Sequence, residues 1–187
     1  TLMQKYEFQD DQGQEIVPTL SVGIVIAHHL TPLSDVLELA RNAEKEAKKV
    51  SGKNGLAITL SKRSGVDRTI VGKWGNLDAR LVKLITLARQ EAISAGTAYE
   101  LQELHRDLAP SDVPPEGMVA EAIRIIKRKR ESGSSQEISD DVTKKFIQWL
   151  KMKDLSLPEL AQEMIVARML ADAADLAGDP LPKEVQQ

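Results

Sequence analysis

One stretch of this chain decides its fold: Leu20-Ser21-Val22-Gly23-Ile24-Val25-Ile26-Ala27, then Pro32 to Val50, then Ser51-Gly52-Lys53-Asn54, and then Leu56 to Leu60. The first run is apolar on both faces of a strand, which indicates a central, buried strand. In the second run, apolar residues recur at a spacing close to 3.6, which predicts a helix with one buried stripe. Together these runs predict a strand–helix–strand unit.

The ends of the predicted helix follow from capping chemistry. Thr31 has the side chain of an N-cap residue, and Pro32 suits the first helical position. Gly52, just beyond the last turn, is the residue type that ends helices. The buried stripe is expected to contain Leu33, Val36, Leu37, Ala40, Ala43, Ala47 and Val50.

Short strands are predicted on both sides of this unit. A turn at Asp10-Asp11-Gln12-Gly13 is expected to join strands near Tyr6-Glu7-Phe8 and Glu15-Ile16-Val17. After the unit, Thr69-Ile70-Val71 predicts a short edge strand.

From about Leu77 onward the pattern predicts helices. They begin near Leu77, Thr97, Met118, Ser139 and Ser156, and end near Gly96, Leu108, Arg130, Met152 and Ala177. The pairs Thr97–Glu100 and Ser156–Glu159 have the spacing of capping boxes. We therefore predict an α+β chain, with one domain over residues 1–75 and an α-helical bundle domain over residues 76–187.

Composition limits the function classes. The chain has 187 residues and a net charge of −3, whereas a general nucleic-acid binder is strongly basic. It contains no cysteine, which excludes disulfides and thiolate zinc sites and fits a reducing cytoplasm. No run approaches the roughly 18 apolar residues that span a bilayer.

Three motifs together resemble one protein family. They are Thr19-Leu20-Ser21-Val22-Gly23-Ile24-Val25-Ile26-Ala27-His28, Gly52-Lys53-Asn54-Gly55-Leu56-Ala57 and Lys62-Arg63-Ser64-Gly65. This combination resembles the large palm-domain subunit of type III CRISPR–Cas effector complexes, the Cmr branch more than the Csm branch. More distantly it is similar to GGDEF diguanylate cyclases. The resemblance implies the C-terminal part of a ferredoxin-like, GGDEF-like palm domain.

The resemblance also implies an activity for the intact subunit. In this family, ATP is joined into cyclic oligoadenylates when target RNA is captured, with Mg²⁺ or Mn²⁺ held by a Gly-Gly-Asp-Asp hairpin. The implied partners are the other subunits of the ribonucleoprotein, among them a small helical subunit, with guide and target RNA contacted indirectly. An HD nuclease domain often accompanies the palm domains.

This sequence departs from the family pattern because it contains no Gly-Gly-Asp-Asp. The pair Asp10-Asp11 lacks the two glycines and directly precedes the Ser-x-Gly strand, so we interpret it as turn chemistry and assign it no metal. We expect this chain to be a C-terminal piece of such a subunit and catalytically incomplete. No catalytic or metal-binding residue is assigned to it.

Lys49 and Lys53 are the candidate nucleotide-binding residues. In GGDEF cyclases, a basic residue near this helix end and another in Gly-Lys/Arg-Asn reach the phosphates, and these two lysines match that spacing. Lys48 is an adjacent alternative, and Ser21 is a further candidate at the sheet edge. Lysines in a last helical turn also simply favour the helix dipole, so that interpretation stays open.

Two other features of the sequence are a basic cluster and a pair of histidines. Arg124, Lys127, Arg128, Lys129 and Arg130 form a basic cluster that is either a solvated helix end or a contact for RNA or an acidic partner. His28-His29 lacks the spacing of metal ligands. The alternative function for the whole chain is a non-catalytic helical scaffold with a small α/β cap.

Overall fold

A computed structural model describes residues 8–9, 12–13, 15–63, 65–110, 113–128, 140–151 and 155–180. The chain divides into two compact units, Thr1–Leu77 and Asp78–Gln187, called here the N-terminal unit and the helical unit. Asp10 and Asp11, in the predicted turn, lie outside the described residues, as do Ser139, Lys129 and Arg130.

The N-terminal unit contains the predicted strand–helix–strand. Strand β3 (Val22–Ala27) runs parallel to β4 (Gly55–Ser61), and helix α1 (Leu33–Lys49) connects them. Strand β5 (Arg68–Lys73) pairs antiparallel with β4, giving the order β3-β4-β5 and confirming the predicted third strand. The prediction of a central, buried strand for the first apolar run was wrong: among the described strands β3 lies at an edge of this order with Ile24 41% exposed, and β4 is the buried central strand because it has a neighbour on each side. The short strands β1 (Phe8–Gln9) and β2 (Glu15–Ile16) pair with each other.

Small residues let α1 lie very close to the sheet. A methyl group added at Gly55 would overlap the carbonyl oxygen of Ala47, and one added at Gly23 would overlap the backbone of Ala43 and Glu44. Ala43, Ala47 and Ala57 form the buried cluster between helix and strands. The C-terminal half of α1 is therefore fixed against β3 and β4, and the loop that follows it has a defined starting point.

The predicted buried stripe of α1 was partly wrong. Ala43 and Ala47 are buried, but Leu33 is 81% exposed and Leu37 is 48% exposed. At about 100° per residue, Leu33 and Leu37 lie roughly 80° and 120° around the helix from Ala43, on the flank of the face that meets the sheet. An apolar residue within a broad 3.6-residue pattern need not point at the core.

The predicted caps of α1 also differ from the structure. Pro32 occupies the N-cap position with no side-chain cap, and the amide of Thr31 instead donates to the carbonyl of His28 at 2.8 Å. Thr31 is therefore part of the preceding turn. At the other end, Val50 is the C-cap, and Gly52 lies in the following 3-10 turn (Ser51–Lys53) with a φ of 80°.

In its described ranges, the helical unit contains α2 from Asp78 onward and four further helices. Their bounds are α2 (Leu77–Arg89), α3 (Thr97–Leu108), α4 (Pro115–Arg128), α5 (Asp140–Leu150) and α6 (Leu157–Ala177). The Ser156–Glu159 capping box is confirmed. The Thr97–Glu100 box is wrong, because Gly96 is the N-cap and the Thr97 hydroxyl instead pairs with that of Ser94 at 3.1 Å.

Helix α2 ends earlier than predicted. It stops at Arg89, and Glu91 adopts a left-handed φ of 55°, with the amide of Ala92 donating to the carbonyl of Leu87 at 3.0 Å. That is the geometry of a helix C-terminus in which glycine is usual. A glutamate carries no such signal in the sequence, so the predicted end was displaced toward Gly96.

Helix α6 has many buried residues, and a buried ion pair joins it to α2. The Arg80 guanidinium donates to Glu163 twice, from Nε at 2.9 Å and from Nη2 at 2.7 Å. Both side chains are more than nine-tenths buried. Burial raises the pKa of Glu163, although the hydrogen bond and charge of Arg80 act in the opposite direction.

Within the described ranges, every helix is too short or too polar to cross a lipid bilayer.

Candidate functional site

The candidate site is the loop that joins α1 to β4. The 3-10 turn Ser51–Lys53 reverses the chain, with positive φ values at Gly52 (80°) and at Lys53 (49°). The amide of Lys53 donates to the carbonyl of Val50 at 2.9 Å, which closes the turn directly on the helix end. All three residues of the turn are exposed. The turn therefore presents Lys53 to solvent immediately beyond α1.

Two strand ends hold this loop. The hydroxyl of Ser21, the residue before β3, donates to the carbonyl oxygen of Lys53 at 2.8 Å. The amide of Trp74, just after β5, donates to the carbonyl oxygen of Asn54 at 3.0 Å. The consecutive carbonyls of Lys53 and Asn54 are thus each bonded to a different part of the sheet, so the loop backbone is anchored on both sides.

The lysines around the loop differ in what they already bind. Lys49 donates to Glu46 at 2.6 Å while its side chain stays 70% exposed. Lys48 pairs with Glu44, and their hydrogen bond lowers the pKa of that carboxyl. By contrast, no carboxylate of the described residues pairs with the amino group of Lys53. Lys53 is therefore an exposed cation without a carboxylate partner among the residues described.

Sequence reasoning missed one lysine at this end of the sheet. Lys73 is the register partner of Gly55, and cross-strand partners share a face, so Lys73 lies on the α1 side beside the loop. Its side chain is exposed. What places Lys73 beside the loop is the antiparallel pairing of β4 with β5. That placement can be read only when the register of the two strands is known.

The chemistry open to these residues is anion binding. The C-terminus of a helix carries partial negative charge, which disfavours a phosphate, so attraction must come from lysine ammonium groups. Among the residues that the structure describes, no group of three or more His, Asp or Glu could hold a metal ion. These residues therefore do not fit the divalent metal that the resemblance implies for the intact subunit.

The basic cluster on α4 is largely engaged within its own unit. Arg124 makes two hydrogen bonds to Glu121, which lower the pKa of that carboxyl, and Arg128 contacts Glu100 at 3.3 Å. Lys127 is exposed. Lys129 and Arg130, also predicted for this cluster, lie outside the described residues. Two of the three described basic residues of this cluster therefore form ion pairs with nearby glutamates.

The adjacent histidines lie in a turn at the end of β3 that is opposite to the α1–β4 loop. His28 follows the C-terminal end of β3, whereas Ser21 precedes its N-terminal end. The Nδ1 atom of His28 accepts from the amide of Leu30 at 3.2 Å, and the rings of His28 and His29 lie 4.4 Å apart. The turn therefore accounts for one ring nitrogen of His28.

Comparison with known proteins connects the N-terminal unit to one family. Residues 1–57 match the family model for the second palm domain of Cas10/Cmr2. Over 47 residues the chain is 55% identical to a protein of Pyrococcus furiosus described as CRISPR system Cmr subunit Cmr2. That match covers 25% of this chain and 5% of the relative, so the chain spans a small part of the relative's length. Ser21, Lys49 and Lys53 all lie within residues 1–57.

Proposed function

We propose that the N-terminal unit of this chain is a second palm domain of the Cas10/Cmr2 family, and that the chain forms part of the large subunit of a type III CRISPR effector complex. In that complex it would act in antiviral defence beside other protein subunits, with guide and target RNA contacted indirectly. The support is the match over residues 1–57 together with the observed strand–helix–strand.

Within that subunit, the proposed role of the α1–β4 loop is to bind the phosphates of ATP. Lys53 carries the proposal, because it is exposed, unpaired among the described residues and fixed through its backbone. Lys49 would add a second charge one helical turn earlier, after releasing Glu46. Ser21 completes the set through its contact with the loop.

The whole subunit would join ATP into cyclic oligoadenylates. The sequence contains no Gly-Gly-Asp-Asp, so the contribution proposed for this chain is to hold and orient phosphates. We therefore expect no oligoadenylate when the 187-residue chain is incubated with ATP and Mg²⁺ or Mn²⁺. Clear synthesis by this chain would overturn that division of labour.

The binding role can be tested by nuclear magnetic resonance on the ¹⁵N-labelled 187-residue chain, which reports weak binding residue by residue. Titration with ATP and Mg²⁺ should shift the amides of residues 49–54. Lys53→Ala should weaken binding about tenfold, the size expected for one hydrogen bond to a charged group.

The matched control is Lys62→Ala, an exposed lysine just after the opposite end of β4. It should leave the ATP affinity within about twofold, which corresponds to less than ~0.5 kcal/mol. Absence of shifts at the loop, or equal effects of the two substitutions, would reject the proposed phosphate site.

A second candidate function is docking by the helical unit, as expected of a non-catalytic scaffold. The observation that favours it is a groove between α4 and α5 with apolar walls. It is lined by Pro115, Glu116, Val119, Ala120, Ile123, Ile147, Leu150 and Lys151. A small helical subunit of the same complex is the proposed occupant, and Val119→Glu should then abolish its co-elution with this chain. Unchanged co-elution would reject this surface.

A further inference from the structure

We infer that Ser21 is a positioning residue that acts through Lys53, because its hydroxyl holds the backbone conformation from which the Lys53 side chain is presented. The inference rests on the proposed phosphate site. This role differs from a direct contact with the nucleotide. The Ser21 hydroxyl donates a hydrogen bond to the loop, and the loop in turn holds the Lys53 side chain in position.

The first step is the unusual backbone of Lys53. Its φ of 49° lies in the left-handed region, which residues with a Cβ rarely adopt. Among the described residues other than glycine, only Glu91 shares a positive φ. Such a conformation persists when surrounding contacts enforce it. At Lys53 those contacts are two hydrogen bonds. The Lys53 amide donates to the Val50 carbonyl, and the Ser21 hydroxyl donates to the Lys53 carbonyl.

The second step is the position of Ser21. It lies 32 residues before Lys53, directly ahead of Val22, whose register opposite Leu56 is set by the β3–β4 pairing. The sheet therefore places the hydroxyl independently of the loop. Removing it would leave the Lys53 carbonyl without this donor, so that the peptide between Lys53 and Asn54 could rotate and the lysine could turn away.

The third step separates this role from simple support of the fold. Residues 51–53 are exposed, so the bond to Ser21 covers no core side chain. The neighbouring carbonyl of Asn54 is already held by Trp74. What the Ser21 bond adds is the direction of one residue, and the ammonium group of that residue has no carboxylate partner in the described part of the chain.

A double-mutant cycle on ATP affinity tests the inference. Wild type, Ser21→Ala, Lys53→Ala and the double variant are titrated with ATP and Mg²⁺ under the same magnetic resonance conditions. Ser21→Ala should weaken binding about fivefold, as expected for one lost hydrogen bond. In the Lys53→Ala background the same change should have no further effect, because the cation that it positions is gone.

Two variants of Ser21 and one control sharpen the result. Ser21→Thr retains a hydroxyl donor and should keep affinity near wild type. Ser21→Cys has nearly the same shape but is a weak donor, so it should behave like Ser21→Ala and replaces it if that variant fails to fold. Ser34→Ala removes an exposed hydroxyl bonded to Asp35 at the far end of α1 and should change nothing.

The outcomes separate the inference from the function on which it rests. Equal losses from Ser21→Ala in both backgrounds, or no loss in wild type, would overturn the positioning role while leaving Lys53 as a phosphate ligand. No effect of Lys53→Ala would reject the phosphate site itself.

Discussion

Arg80 and Arg124 of the helical unit and Lys53 of the N-terminal unit differ in what their positive charges bind. In the helical unit, Arg80 is buried against Glu163, and Arg124 is bonded to Glu121 on the same helix. In the N-terminal unit, Lys53 stands on a turn held by backbone contacts, and no described carboxylate pairs with it. The arginines are held by their own unit, whereas the lysine is available to a ligand.

This contrast shows why the density of basic residues is a poor guide to a binding site. The run from Arg124 to Arg130 is the most basic in the sequence, yet the structure pairs its described arginines with glutamates. A single lysine on a constrained loop is the better candidate, because no carboxylate of the described ranges offsets its charge.

The largest effect is expected from breaking the buried pair of the helical unit. Glu163→Ala leaves the Arg80 guanidinium buried without its partner, and should lower the unfolding free energy of this unit by about 3–5 kcal/mol. Urea unfolding, monitored by amide hydrogen exchange, measures this loss of unfolding free energy. Glu103→Ala, at an exposed glutamate on α3, is the control and should cost little. A loss below about 1 kcal/mol would show that Arg80 is not committed to the fold.

The next effect concerns the close contact between Gly55 of β4 and Ala47 of α1, which supports the α1–β4 loop. In Gly55→Val the new side chain would overlap the Ala47 carbonyl, so the N-terminal unit should lose about 3 kcal/mol of stability and its ATP response. Hydrogen exchange of β3 and β4 is the measurement. Val66→Ala, at an 86% exposed position, should be neutral. Normal stability of Gly55→Val would mean that α1 does not lie this close to β4.

A smaller effect should appear in the pH dependence of the helical unit. Because burial raises the pKa of Glu163, the folded unit binds that proton more tightly than the unfolded chain. Its contribution to stability is therefore fully present below the ordinary value of 4.5 and is lost as pH rises through the raised pKa. The difference between wild type and Glu163→Gln, measured by urea unfolding across this range, isolates the effect. If the stability of the wild type relative to Glu163→Gln rose with pH, the raised pKa of Glu163 would be contradicted.

The smallest effect is expected at the paired arginines of α4. The double variant Arg124→Gln, Arg128→Gln should change affinity for single-stranded RNA by less than about twofold, since both side chains already bind glutamates. The measurement is RNA affinity at several salt concentrations. A decrease of about 1.4 in the salt slope, the value for two phosphate contacts, would show instead that the glutamates release them.

Much of the secondary structure was predictable because its causes are local. The 3.6-residue pattern located α1, the apolar run located β3, and the Ser156–Glu159 spacing located the start of α6. The same kind of reasoning went wrong at Leu33 and Thr31. A position on the flank of a helix, or a competing turn, depends on what lies opposite the residue in space.

The candidate site divides in the same way. Residue type and spacing along the chain identified Lys49 and Lys53, because a cation near a helix end is a local property. The bond from Ser21 to the Lys53 carbonyl and the placement of Lys73 were decided by the pairing of β3, β4 and β5. The pairing of Arg80 with Glu163 likewise depends on helix packing. Local periodicity determines which elements form, whereas contacts between residues 32 to 83 positions apart determine which charged groups find partners.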